Sequence, residues 1–168
     1  MYLSIDLLLN IYSLAIQLMI AMSIFMFVIA QRKKERIASK EKASQYIIRW
    51  NEADFVKSEL NVFTSNIDID KITIENIKDL TNLESFQIIN ILNFFEEMAL
   101  SIENELVDER MLNKYFSKSF FEIYTRSEKF INMLRIIRNT EQLYRSLERL
   151  YGKWSFNLML SDTKRINK

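Results

Sequence analysis

The sequence predicts an all-α chain: a single N-terminal transmembrane helix that continues into a stalk, then a small cytoplasmic helical bundle. Three observations predict it. The 168 residues contain no proline and one glycine, Gly152, so the residues on which tight β-turns lean are nearly missing. The stretch from Leu7 to Ala30 carries no charged residue. From Leu83 onward, apolar residues return at the three- and four-residue steps of a helix face.

As a helix, LLLNIYSLAIQLMIAMSIFMFVIA would rise about 36 Å, enough to cross a hydrocarbon core of about 30 Å with some tilt. Gln31-Arg32-Lys33-Lys34-Glu35-Arg36 follows at once. A basic flank of this kind marks the cytoplasmic end of a span. Arg32, Lys33, Lys34 and Arg36 are the residues expected to meet lipid headgroups. A cleaved signal peptide would open on a basic segment, whereas Met1 to Asp6 is acidic. The expected topology is single-pass, with the N-terminus outside and everything after Arg32 cytoplasmic.

The span is not uniformly apolar. Asp6, Asn10, Ser13, Gln17 and Ala21 recur at steps of four, three, four and four, which puts them on one helix face. Asp6 and Asn10 lie near the outer interface, but Gln17 lies deeper. Asn10, Ser13, Gln17 and Ala21 are therefore candidates for self-association of the span.

Composition limits the chemistry. The chain has no cysteine and no histidine, which excludes disulfides, thiol nucleophiles and zinc-thiolate sites and removes the usual acid-base residue. Carboxylate chemistry, a Tyr or Lys, or a Ser with a lysine base remains available, and none of these forms a recognisable constellation. The expectation is a non-enzyme with no catalytic residues, metal ligands, cofactor or small-molecule substrate. Net charge is +1 overall but uneven. Residues 32–40 carry +4, residues 41–109 carry −10 and residues 110–168 carry +8. Such halves can fold against each other; the alternative, a basic face for anionic lipid or nucleic acid, lacks any reading motif, so nucleic acid is not expected as a partner.

In chain order, Ile37, Ile47, Ile48, Phe55, Val56 and Leu60 extend the helix to about Val62, with Gln31 to Ala43 too polar for a core and Trp50 packed in the domain. Thr64 to Thr73 reads as a loop and Ile74 to Leu80 as a short helix. Asp68 and Asp70 resemble the start of a calcium loop without its glycine and terminal glutamate. Thr81 and Glu84 have capping-box spacing and would open a central helix from Asn82 to about Asn104, apolar on most sides. Asp108 caps a helix from Glu109 to about Arg138. Thr140 would cap a last helix through Tyr151, with Gly152 in the place of a C-terminal glycine. Beyond it, Trp154 and Phe156 would fold back as a lid, and Ser161 to Lys168 would form a loose tail. Glu96 and Arg126 both fall on inward lines, so a buried structural ion pair between them is expected.

Asn93-Phe94-Phe95-Glu96-Glu97-Met98-Ala99-Leu100, Leu106-Val107-Asp108-Glu109 and Tyr115-Phe116, with Arg49-Trp50 and Phe55, resemble an uncharacterised bacterial family. It is a domain of unknown function with an N-terminal membrane helix and a small helical domain bearing an N-F-F-E stretch. The resemblance would cover about Trp50 to Trp154. It implies location in a bacterial inner (cell) membrane and no activity.

The expected organisation is an anchor over residues 1–31, a basic juxtamembrane stalk over 32–48, a bundle over 49–156 and a flexible tail over 157–168. The expected role is a membrane-anchored interaction or scaffold module that binds a protein partner or itself. The alternative is an oligomerising membrane effector, of toxin or defence type, acting through the span.

Overall fold

The computed structural model describes residues 5–52, 55–57, 75 and 83–166. The fold is all-α. Its four long helices among the described residues are α1 (Ile5–Trp50), α2 (Leu83–Glu103), α3 (Glu109–Arg138) and α4 (Arg145–Ile166). The chain divides into two compact units, Met1–Ala38 and Ser39–Lys168. The expected loop from Thr64 to Thr73, the Asp68 and Asp70 pair and Thr81 of the expected Thr81–Glu84 box lie outside the described residues, while Glu84 is in the first turn of α2. So does the short helix from Ile74 to Leu80, apart from Glu75, which is helical.

The first unit is the body of α1. Every described side chain from Ile5 to Ala38 is exposed. Among the described residues, one helix, near the N-terminus, is long and apolar enough to cross a membrane.

The second unit is the bundle. The last turns of α1 contribute Ala43, Tyr46 and Trp50, at helical steps of three and four, to its core. The inward face of α1 therefore begins at Ala43, a small apolar residue that is fully buried although it lies inside the stretch read from sequence as a solvated stalk. Ser39 accepts a hydrogen bond from the Asp108 N–H at 3.2 Å in the same region. The helix ends at Trp50, short of Val62. The Asn51 side chain turns back onto the Ile47 carbonyl at 2.7 Å and also meets the Tyr115 hydroxyl at 2.9 Å.

Helix α2 packs against both α3 and α4, which also pack against each other. Ile88, Ile91, Leu92, Phe94, Phe95, Met98, Ala99 and Ile102 are all buried, as a helix apolar on most sides requires. Trp50 joins this core with ring centroids 5.0 Å from Phe94, 5.1 Å from Phe95 and 5.7 Å from Phe116. Phe120 continues the aromatic chain to Phe95 at 5.3 Å and to Trp154 at 5.0 Å. Each such buried ring contributes roughly 1.5–3 kcal/mol by removal from water.

Helix α3 keeps its expected bounds. The Asp108 side chain accepts from the Met111 N–H at 3.0 Å, a standard N-cap. Both α2 and α3 end without glycine. Glu105 (φ 55°) and Asn139 (φ 47°) adopt the left-handed conformation. At the first, the Leu106 N–H reaches the Ser101 carbonyl and Glu105 reaches Ile102; at the second, Thr140 reaches Arg135 and Asn139 reaches Ile136. This is the Schellman pattern at both ends.

The C-terminal region differs from the sequence reading. Helix α4 starts at Arg145, not after Thr140, and continues through Gly152 to Ile166. Gly152 is helical and exposed and ends nothing. Trp154 is no lid: it is 1% exposed within the bundle, and its Nε1–H donates to Glu109 at 3.0 Å. Phe156 lies exposed on the same helix. The backbone read as a loose tail is helical as far as Ile166.

Candidate functional site

Two places gather polar groups on α2, and both lie in the bundle. The first joins it to the end of α1. Arg49 and Glu97 form a bidentate pair, with Arg49 donating to Oε1 at 3.1 Å and to Oε2 at 2.7 Å. Tyr46, one turn earlier on α1, places its hydroxyl 2.8 Å from Ser101 Oγ and 3.3 Å from both Glu97 Oε1 and the Glu97 carbonyl. The guanidinium lies 4.8 Å from the Phe94 ring centre and 5.5 Å from that of Tyr46, so cation–π attraction adds to the fork. Its Nε is buried without a hydrogen-bond partner among the described residues.

A cleft of about 300 Å³ opens beside this group, lined by Lys42, Gln45, Leu106 and Val107 as well. The Arg49 fork holds the Glu97 carboxyl below the ordinary glutamate range. Burial, opposed by the Ser101 contact, pushes the Tyr46 hydroxyl up. At neutral pH the cluster is therefore a neutralised clasp: an ionised carboxylate occupied by arginine and a phenol that stays protonated. It has the chemistry of a fastening between α1 and α2.

The second place holds the start of α4. Glu96 accepts from the Ser146 N–H at 3.3 Å and the Leu147 N–H at 2.7 Å. These are first-turn donors that lack partners within their own helix. The Ser146 hydroxyl donates to Glu103 at 2.7 Å, and the Tyr144 hydroxyl donates to Asn93 at 2.9 Å. Burial raises the Glu96 carboxyl, and the two backbone donors oppose the shift.

This arrangement corrects the expected pairing of Glu96 with Arg126. Glu96 is half-buried and uses its oxygens as the N-cap of α4, while Arg126 is exposed and lies 3.5 Å from Glu122 on its own helix. The reason is packing. Glu96 faces the entry to α4, where its oxygens accept from two first-turn N–H groups that the helix itself leaves without partners. Cross-helix ion pairs form elsewhere, Arg149 with Glu103 at 3.5 Å and Lys153 with Glu109 at 2.6 Å. Both join the acidic middle of the chain to its basic C-terminal part.

The candidates on α1 stay apart from these clusters. Asn10, Ser13, Gln17 and Ala21 are exposed, as are Arg32, Lys33, Lys34 and Arg36. No group of three or more Asp or Glu residues among the described residues is arranged to hold a metal ion. The Tyr46–Arg49–Glu97–Ser101 clasp was not anticipated from sequence. Its signal was present: Tyr46 and Arg49 one turn apart on one helix, Glu97 and Ser101 one turn apart on another.

No curated protein and no solved structure matches this chain. A family model does match, and it runs from residue 4 to residue 154, across both the apolar stretch and the bundle. The chain belongs to the family described as Domain of unknown function (DUF4760).

Proposed function

We propose that this chain is a membrane-anchored, non-enzymatic interaction module that presents its helical bundle at the inner face of a bacterial cell membrane and binds another protein there. One observation carries the reading. The charge-free stretch from Leu7 to Ala30 is helical, its described side chains are all exposed, and a basic cluster closes it. In water such a surface is unfavourable by roughly 25 cal/mol per Å² of apolar area, and lipid removes that cost. The basic flank supports an inward-facing bundle. That the family match includes the apolar stretch supports the anchor as part of the domain.

The absence of cysteine from the chain makes orientation directly testable. A single cysteine at Lys118 on α3, an exposed position, should react with a membrane-impermeant maleimide in inside-out vesicles and stay unlabelled in intact cells. Labelling from outside the cell would contradict the orientation. Crosslinking of the full-length chain in native membranes should trap a distinct protein through the bundle.

The polar line through Asn10 and Gln17 favours a second reading, an oligomerising membrane effector. Overexpression should then arrest growth and leak dye from cells, and Gln17→Leu should relieve both. Toxicity unchanged by that substitution would count against it.

A further inference from the structure

The exposed body of α1 carries a more specific pattern than a polar stripe. Asn10, Gln17, Ile24 and Gln31 stand seven residues apart, and Ser13, Ile20 and Phe27 fall three residues after the first three. These are the a and d positions of a heptad, so they form one continuous seam on a helix. Three of the four a positions hold side-chain amides. All seven residues are exposed, and the structure gives none of them a side-chain partner. The seam from Asn10 to Gln31 is about 31 Å long, the thickness of a hydrocarbon core. Lys34, next on the line, would meet its own copy as a like charge, so the seam ends where the lipid does.

We propose that the span self-associates as a parallel homodimer along this seam, with Gln17 pairing to Gln17 of the second copy. The proposal rests on the membrane-anchor reading. Three arguments identify the occupant as a second copy. All copies carry the same flanking charges and insert with the same orientation. A two-fold axis along the membrane normal then brings each seam residue to its own counterpart. A glutamine or asparagine amide has both donor and acceptor, so it satisfies an identical partner. Leu7 to Ala30 has no charge that would call for an opposite charge on a different protein. In hydrocarbon the Gln17 amide has no water to bond, and pairing removes that deficit. Ser13 and Ala21 are small, and allow close approach beside the glutamine.

The test uses full-length chain in membranes, in single-cysteine variants on a background free of native cysteine. Ile20→Cys and Ile24→Cys lie on the seam; Met22→Cys and Ile29→Cys lie on the opposite face. Mild oxidation should crosslink the seam pair, whose Cα atoms come within disulfide reach, and leave the opposite pair monomeric. Adding Gln17→Leu to Ile24→Cys should weaken association about tenfold, and Gln17→Asn should retain most of it. Leucine makes the span more apolar, so lost crosslinking would not reflect failed insertion. Crosslinking equal on both faces, absent from all four positions or indifferent to Gln17→Leu would overturn the homodimer. In each of those cases a chain that resists alkaline carbonate extraction leaves the anchor reading standing. A chain released by carbonate would overturn both.

Discussion

Neighbouring carboxylates on α2 have opposite electrostatic fates. Glu97, held down by the Arg49 fork, contributes stability above the ordinary glutamate range, and that contribution is lost as pH falls through its folded value. Glu96, raised by burial, has the reverse sign: its contribution is present in acid and is lost as pH rises through its folded value. In pH-dependent unfolding of the full-length chain in detergent, Glu97→Gln should flatten the acid loss. Glu96→Gln should instead remove the decline above the ordinary glutamate range. Identical profiles for the two variants would contradict the assignment. At neutral pH, Glu96→Ala should destabilise the bundle by about 1–2 kcal/mol, the usual effect of losing an N-cap. A denaturant midpoint unchanged by Glu96→Ala would show that α4 starts without its help. The Arg49–Glu97 pair is 37% and 55% exposed, so solvent screens it and its worth lies in the fork and the ring stacking. Arg49→Lys keeps the charge but loses both, and should cost about 1 kcal/mol.

At the scale of elements, what could be read from sequence was local. Helix α3 was legible to both ends because Asp108 caps it from the adjoining position in sequence and Asn139 tolerates the left-handed conformation that stops it. The bulk of α2 was legible because apolar residues cover most of its surface. The start of α4 was not, because its cap arrives from Glu96, a residue 50 positions away from Ser146. No local spacing encodes such a cap, and Thr140 therefore looked like a better one. Gly152 misled for a related reason: the helix ends that need positive φ use Glu105 and Asn139, and the lone glycine lies within a helix. The clasp on Glu97 has the same origin as the cap on Glu96, since a helical wheel gives the face of a residue but not which helix covers it. Glu105 gives a further prediction. A non-glycine residue at positive φ costs roughly 1–2 kcal/mol. Glu105→Gly should therefore raise stability by about 1 kcal/mol and the thermal midpoint by a few degrees, after the extra entropy of glycine in the unfolded chain is subtracted. A lowered midpoint would mean that the Glu105 side chain contributes more than its strain.

For the whole molecule, the division into an exposed apolar unit and a packed bundle is the central result. The bundle has a continuous aromatic core of its own from Trp50 through Phe95 and Phe120 to Trp154. The first unit has no buried side chain among its described residues. A hydrophobic core that begins at Ala43 needs nothing from residues 7–30 to fold. The measurement that tests this most directly compares the full-length chain with one lacking Leu7 to Ala30, by alkaline carbonate fractionation and thermal unfolding followed by circular dichroism. The full-length chain should stay in the membrane pellet. The shortened chain should be soluble and helical, and should unfold in one cooperative transition. A shortened chain that stays with the membrane, or that is soluble but shows no cooperative unfolding, would contradict a separable anchor and bundle.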